Sequence, residues 1–446
     1  MADNPFKAMF DIRKEEFPFA GLMGLYFFLV ITSFWILKPI KKSLFIDYYK
    51  AAGGFDLDLF GWGWHMSGSE AELLAKVLNM VVAALAAAAF AALSNRFVRQ
   101  QLAVLFSSFF VVCHLLYLAV LDAPSGWEVW SFYLFGDFFN TVMVATFFAF
   151  LNDSVTPDAA KRIYGLTGFG GVAGGAVGAL VVASFVKKVS NEQWMLVLAA
   201  VAVVIAAIAL LAGKKLPASA APGKASKEKG GEEGGAVPSV NPAFEGARLV
   251  FRSRYLLAVV AIVGLYEMVS TIMDFQFTSA VEHFVTGGTG QHFSTVYLVT
   301  NVLAMVVQLF FTSLVMTRFG VGVALLVLPV AALCGSAGFL LFPALLTGSF
   351  LNTADNSFNY SINQSAKESL YVPVSKDEKY KAKAFIDMFV QRFAKAVAVG
   401  LSLAITALFT DFGAIRWLSL LSVAILAVWI FAARYAGRRF DEMTRP

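Results

Sequence analysis

Residues 213–243, GKKLPASAAPGKASKEKGGEEGGAVPSVNPA, decide the architecture. Gly, Pro, Ala, Lys and Glu dominate, so this segment cannot bury an apolar core and reads as a flexible linker. Outward from it in both directions the chain is apolar. A helix needs about 20 mostly apolar residues to cross a hydrocarbon core of about 30 Å. Twelve stretches satisfy this, six on each side of the linker. Their expected limits are 17–37, 72–93, 101–121, 129–151, 163–186, 193–212, 255–280, 294–316, 321–342, 344–364, 383–409 and 412–435. The tenth is the weakest, because it contains the polar run LNTADNSFNYSINQ (351–364).

Composition agrees. Of 446 residues, 59% are hydrophobic and 15% charged, against about 45–50% and about 25% in a soluble domain. A soluble globular chain and a disordered one are both excluded. The 35 glycines follow no triplet period, which excludes a collagen-like fibre. Cys113 and Cys334 both lie in apolar runs and supply no disulfide framework or zinc site. Residues 1–16 are mixed and charged, with no short apolar core before a small-residue cleavage site. Phe6, Met9, Phe10 and Phe17 recur at helical spacing beside Lys7, Arg13 and Lys14, so a helix lying on the inner membrane surface is expected there, with an ordered stub as the alternative.

Orientation follows from the basic residues. With the N-terminus inside, 25 of the 35 Lys and Arg fall in inner segments and seven in outer ones. The positive-inside rule therefore places both termini on the cytoplasmic side. The first outer loop, expected over 43–71, carries Asp47, Asp56, Asp58 and Glu70. The halves also echo each other. SNRF (94–97) follows the second span and TRFG (317–320) the eighth, while Asn152 and Asn363 precede polar basic loops after the fourth and tenth. Two six-helix halves on a loose cytoplasmic loop resemble the plan of the major facilitator superfamily, in which substrate binds between halves related by an axis along the membrane normal. The expected fold is all-α and integral to the membrane. It has twelve transmembrane helices in two pseudo-symmetric bundles, 17–212 and 255–446, with 213–254 between them and 1–16 as an interfacial segment.

Charges inside spans are costly and point to function. Lys38, Lys41 and Lys42 are spaced i, i+3, i+4 and share one helix face, where Pro39 can bend the helix. Such a face attracts a multiply charged anion; snorkelling to headgroups is the alternative. The eleventh span carries Asp387, Gln391, Arg392 and Lys395. The planar fork of Arg392 suits phosphate or carboxylate, and an ion pair with a neighbouring acid is the alternative. Asp137, Glu267 and Asp274 are charge partners for these cations or proton carriers. Lys76, one turn into the second span, is expected to snorkel outward. Gly168, Gly170 and Ala173 match a dinucleotide fingerprint only formally, since no strand precedes them. Gly170, Gly174 and Gly178 instead predict close approach of two helices. No nucleophile–base pair or metal-ligand spacing stands out. The chain is therefore expected to be no enzyme, to hold no cofactor or metal, to bind no nucleic acid and to work as a monomer.

Two passages, KESLYVPVSKDEKYKAKAFID (367–387) and LNDSVTPDAAKRIYGLTGFGG (151–171), resemble the nucleotide transporter family of ATP/ADP translocases. ILKPIKKSLF (36–45) is similar more loosely. The resemblance implies nucleotide exchange across an inner membrane within a facilitator-like fold. It implies that Lys41, Lys381 and Lys383 contribute to nucleotide transport, and that Lys38 stands where the family usually has another basic residue. Pro39 and Lys42 depart from the acids the family places beside its first-span lysine. Gly136 and Ile272 occupy the positions of acids used by ATP-moving members, with Asp137 and Asp274 nearby. The expected function is secondary transport of an anionic, phosphorylated solute, a nucleotide first. A non-nucleotide anion or lipid headgroup is the alternative cargo, and a non-transporting scaffold or sensor the alternative role.

Overall fold

A computed structural model describes residues 13, 15–59, 61–94, 96–215, 240–409 and 411–444. Most of the segment 1–16 and residues 216–239 of the linker lie outside the described residues. Before the linker run α1 (Phe17–Ala52), β1 (Phe55–Leu59), β2 (Trp62–Met66), α2 (Gly68–Ser94), α3 (Arg99–Val120), α4 (Gly126–Ser154), α5 (Pro157–Phe185) and α6 (Asn191–Lys214). After it come α7 (Val240–Arg252), α8 (Arg254–Phe284), α9 (Gly290–Arg318), α10 (Gly320–Leu341), α11 (345–369), α12 (376–408) and α13 (Trp417–Thr444). Helices α9, α11 and α12 each pass through a short π-helical stretch, Val307–Thr312, Asn359–Asn363 and Ile386–Val390.

Eleven helices among the described residues are long and apolar enough to cross a membrane. Polar α11 is long enough to be the twelfth. Helix starts are set by local chemistry. Ser190 accepts from the Gln193 amide, and Gln193 reaches back to Ser190 at 3.0 Å. Ser253 and Thr156 cap α8 and α5, with Pro157 in the first turn of α5. These side chains satisfy amides that a helix N-terminus leaves open.

The chain forms two compact units, Met1–Phe45 with Leu78–Val237, and Ile46–Val77 with Pro238–Pro446. In the first, α5 meets α1 through its glycine stripe. A Cβ on Gly170, Gly174 or Gly178 would lie 2.5, 2.4 or 2.6 Å from the carbonyl oxygen of Gly24, Phe28 or Thr32. The four-residue spacing on both helices gives a backbone-to-backbone contact, as the sequence predicts. The apolar core of this unit is aromatic: Tyr26 meets Phe147 edge to face at 5.4 Å, and Phe27 stacks on Phe147 at 4.3 Å. In the second unit, Tyr255, Ile272, Phe275, Leu328 and Trp429 share a core with Leu73 from the start of α2. Rings and aliphatics such as Leu116, Phe310, Phe393 and Phe431 are exposed on the helix surfaces, as lipid-facing residues are.

Three segments differ from expectation. The loop expected over 43–71 is helical to Ala52, because nothing in SLFIDYYKAA breaks a helix before Gly53 and Gly54, whose φ values are +81° and +133°. A two-stranded antiparallel hairpin follows, pairing Phe55 with Met66, Asp56 with His65 and Leu57 with Trp64. Alternation in FDLDL carries this small exception to an all-α fold. Thirdly, residues 240–252, expected within the linker, form the amphipathic helix α7. It packs on α12 so closely that a Cβ on Gly246 would lie 2.1 Å from the Lys381 carbonyl oxygen.

Candidate functional site

In the first unit the site is built around α1. Lys41 is 5% exposed. Its Nζ lies 2.5 Å from Asp137 Oδ1 on α4 and 4.5 Å from the centre of the Tyr133 ring, and it donates to the Tyr133 carbonyl at 3.4 Å. Asn79 Nδ2 also donates to Asp137. The lysine stem passes over Gly136, where a Cβ would meet Lys41 Cδ at 2.6 Å. The missing side chain at 136 thus makes the room that lets Lys41 reach Asp137. Lys38, one turn earlier, rests its Nζ 4.6 Å from the Trp35 ring, a cation–π contact. Lys42 is buried.

In the second unit each predicted lysine meets a carboxylate. Lys395 lies 3.8 Å from Glu267. Lys383 binds both oxygens of Glu368 at 2.8 and 2.9 Å, and Lys381 lies 2.8 Å from Glu245 on α7. Asp387 accepts from Gln391 at 3.0 Å. Arg392 is half-buried on the same helix, three residues before Lys395. Lys76 does not snorkel. It bonds Asp274 and lies 3.0 Å from Glu72, which is 1% exposed, so its charge is held inside the unit.

One set of polar residues escaped the sequence reading. Asn352, Asp355, Asn359, Asn363 and Lys367 follow one another on α11 at intervals of three or four residues, and therefore lie along one face. Asn352 Nδ2 donates to Asp274 at 3.1 Å, and Ser270 of α8 donates to Asp355 at 2.6 Å. Asn363 donates to Asn359 Oδ1 at 3.0 Å, and Lys367 Nζ lies 3.5 Å from that oxygen and 4.8 Å from the Tyr266 ring. Spacing was the available signal; average polarity hid it.

At the hairpin end, three side chains bind open helix ends. Both Asp47 oxygens accept from the Thr289 amide at 3.1 Å, just ahead of α9. Lys50 Nζ donates to the Glu282 and Val285 carbonyls at 2.5 and 2.7 Å, at the end of α8. The Glu282 carboxylate accepts from the Gly68 and Ser69 amides at 2.7 and 2.9 Å, at the start of α2. Each charge has the sign that its helix end attracts. A cavity of about 1320 Å³ opens beside them, lined by Trp64, His65, Glu282, His283 and Phe412 among others. None of the predicted cations lines it. Among the described residues, no group of three or more His, Cys, Asp or Glu is placed to hold a metal ion.

Two units of membrane-length helices, with charges buried in the spans, define a multi-pass membrane carrier of the secondary-transporter class. The profile of the Major Facilitator Superfamily matches residues 23–366, and the chain belongs to that superfamily. A second profile, TLC ATP/ADP transporter, matches residues 340–440. The chain is 25% identical over 525 aligned positions to ADP,ATP carrier protein 1 of Chlamydia muridarum, covering 98% of this chain and 92% of the relative. With ADP,ATP carrier protein 1 of Chlamydia pneumoniae it shares 23% identity over 72% of this chain and 69% of that one. Among solved structures, the POT family transporter PepTSo matches 96% of this chain and 99% of its own, with a TM-score of 0.65 at 11% identity, a likeness of fold. Family and fold both point to a carrier rather than an enzyme.

Proposed function

We propose that the chain moves a phosphorylated anion across a bacterial inner membrane by alternating access, with ATP and ADP as the first cargo and both termini cytoplasmic. One observation carries the reading. Lys381, Lys383, Arg392 and Lys395 stand in the stretch matched by the TLC ATP/ADP transporter profile, and three of the four bind a carboxylate here. The relatives named as ADP,ATP carriers support the same cargo.

In this reading Glu245, Glu368, Glu267 and Asp137 are place-holders. Each neutralises a buried or half-buried lysine while substrate is away, and phosphate oxygens replace it on binding. Lys38, Lys41, Lys42 and Arg392 complete the cation set. Swapping one carboxylate-type partner for another keeps the ammonium compensated throughout, which limits the cost of an unpaired charge in the membrane. A non-nucleotide anion is the second reading, favoured by Gly136 and Ile272 at positions where ATP carriers of the resembled family have acids.

Proteoliposomes loaded with ADP and given labelled ATP test the proposal. Wild type should show counterflow, and Lys41→Gln should lower it about ten- to a hundred-fold, the loss of one charge-assisted hydrogen bond. Absence of counterflow with ATP, ADP and inorganic phosphate, in a folded preparation, overturns it.

A further inference from the structure

The two sides of α7 differ. One side is taken up inside its unit: Val250 belongs to the core with Tyr255 and Leu256, and Gly246 lies against the Lys381 carbonyl of α12. The other side is uncovered. Arg248, Phe251 and Arg252 stand at i, i+3 and i+4 and share a face. Phe251 is 71% exposed, and both arginines are exposed. Arg254, also exposed, opens α8 two residues later. None of the three arginines pairs with a carboxylate among the described residues. Glu245, the one acid of α7, is engaged by Lys381 at 2.8 Å. The uncovered side is therefore a phenylalanine ring set among three uncompensated guanidinium groups.

That combination matches the boundary between lipid headgroups and acyl chains. A ring enters the acyl edge, while planar guanidinium forks bind phosphate oxygens above it. The bilayer is within reach, because Ser253 alone separates α7 from the membrane-length helix α8. In the proposed orientation this end is cytoplasmic, where the leaflet surface is negative. We propose that the uncovered face of α7 docks anionic phospholipid, and that lipid seated there sets the position of Lys381. Two contacts carry the effect. The Glu245–Lys381 ion pair ties the side chains. At Gly246 no side chain separates α7 from the α12 main chain, so a shift of α7 reaches residue 381 without being absorbed by a flexible group. The docking stands apart from the cargo; its effect on transport rests on the transport reading.

Full-length protein in neutral detergent, titrated with short-chain phosphatidylglycerol or phosphatidylcholine, tests the docking. The thermal midpoint should rise with phosphatidylglycerol only. Arg248→Gln with Arg252→Gln should raise the half-saturating concentration about ten-fold or more, and Arg434→Gln with Arg438→Gln, exposed on α13, should change it less than about two-fold. A nitroxide at Phe251→Cys, in protein lacking Cys113 and Cys334, should be relaxed by oxygen more than by a water-soluble nickel complex in phosphatidylglycerol liposomes. Phosphatidylglycerol should raise ATP/ADP counterflow about three-fold or more over phosphatidylcholine. A negative surface repels nucleotide, so cargo concentration cannot cause that rise. The α7 double variant should keep the phosphatidylcholine rate and lose the rise, and Glu245→Gln should lose the rise with docking intact. A half-saturation unmoved by the α7 variant, or moved equally by the α13 variant, overturns the docking surface. Docking without a counterflow response in wild type, or a response that survives Glu245→Gln, overturns the link to Lys381. Should counterflow be absent in every lipid, the transport reading fails, and the titration and the nitroxide still decide the docking. If the α7 variant does not fold, the nitroxide decides: a label reached by nickel rather than oxygen overturns the proposal.

Discussion

Lys41 in the first unit and Asp355 in the second are buried to the same degree, 5% and 4% exposed. Lys41 has an opposite charge at 2.5 Å and an aromatic face beside it; Asp355 has a hydroxyl. The difference separates two ways of keeping a charged residue type inside a span. A matched ion pair stays charged and fixes two helices together. A buried acid without a cation beside it relies on one neutral donor instead. The first is structural until a competing anion arrives, and the second joins two helices through a single hydrogen bond.

The sharpest way to break this comparison is to remove one side of the pair. Asp137→Ala strands the Lys41 ammonium and should destabilise by about 3–5 kcal/mol, seen as a large fall in thermal midpoint. A Lys41→Met, Asp137→Leu double variant should recover most of that. Equal stability of Asp137→Ala and wild type would contradict the described pair. Next in size is Gly136→Ala. Its Cβ would meet the lysine stem at 2.6 Å, and overpacking of this sort costs about 1–3 kcal/mol. Because the stem is flexible, the lower end is expected for stability, with a clearer loss in nucleotide counterflow. An unchanged variant would show that Lys41 reaches Asp137 by another route.

The contrast extends to the hairpin end. Glu282 and Lys50 each have two main-chain partners, so Glu282→Gln should cost about 0.3–2 kcal/mol. It should also raise the labelling rate of a Ser67→Cys reporter, in protein lacking Cys113 and Cys334, by an impermeant thiol reagent. No rise would mean that the start of α2 keeps its position without the charge. His65 and Asp56 provide the exposed counterpart, 2.7 Å apart with side chains 66% and 86% accessible. The hydrogen bond and charge of Asp56 hold the His65 imidazole above its ordinary value. The pair therefore contributes fully below about pH 6.5, and the contribution fades as pH climbs through the raised value. Solvent makes this the smallest effect. An NMR titration should show the His65 midpoint fall in Asp56→Asn; an unmoved midpoint would mean that the pair is not formed.

Most of the fold was legible because hydropathy reports burial in lipid directly. The glycine spacing at 170, 174 and 178 needed no partner information. The end of α1 from residue 43 on was misread because Asp47 and Lys50 look like loop residues, whereas helices end where a breaker stands, here at Gly53 and Gly54. For the site, residue types were readable and partners were not. Lys41 and Asp137 are separated by 96 positions, and nothing local announces their meeting. The polar face of α11 was discounted because average polarity ignores direction around a helix. Asn352, Asp355, Asn359 and Asn363 occupy one side.

The fastening at the hairpin end has a consequence for how such a carrier can drift in sequence. Asp47, Lys50 and Glu282 all grip peptide N–H or C=O groups. Mutation cannot delete those receiving groups unless proline removes a donor. The strength of this fastening therefore depends mainly on three codons, and can be retuned in single steps without replacing the main-chain groups they hold.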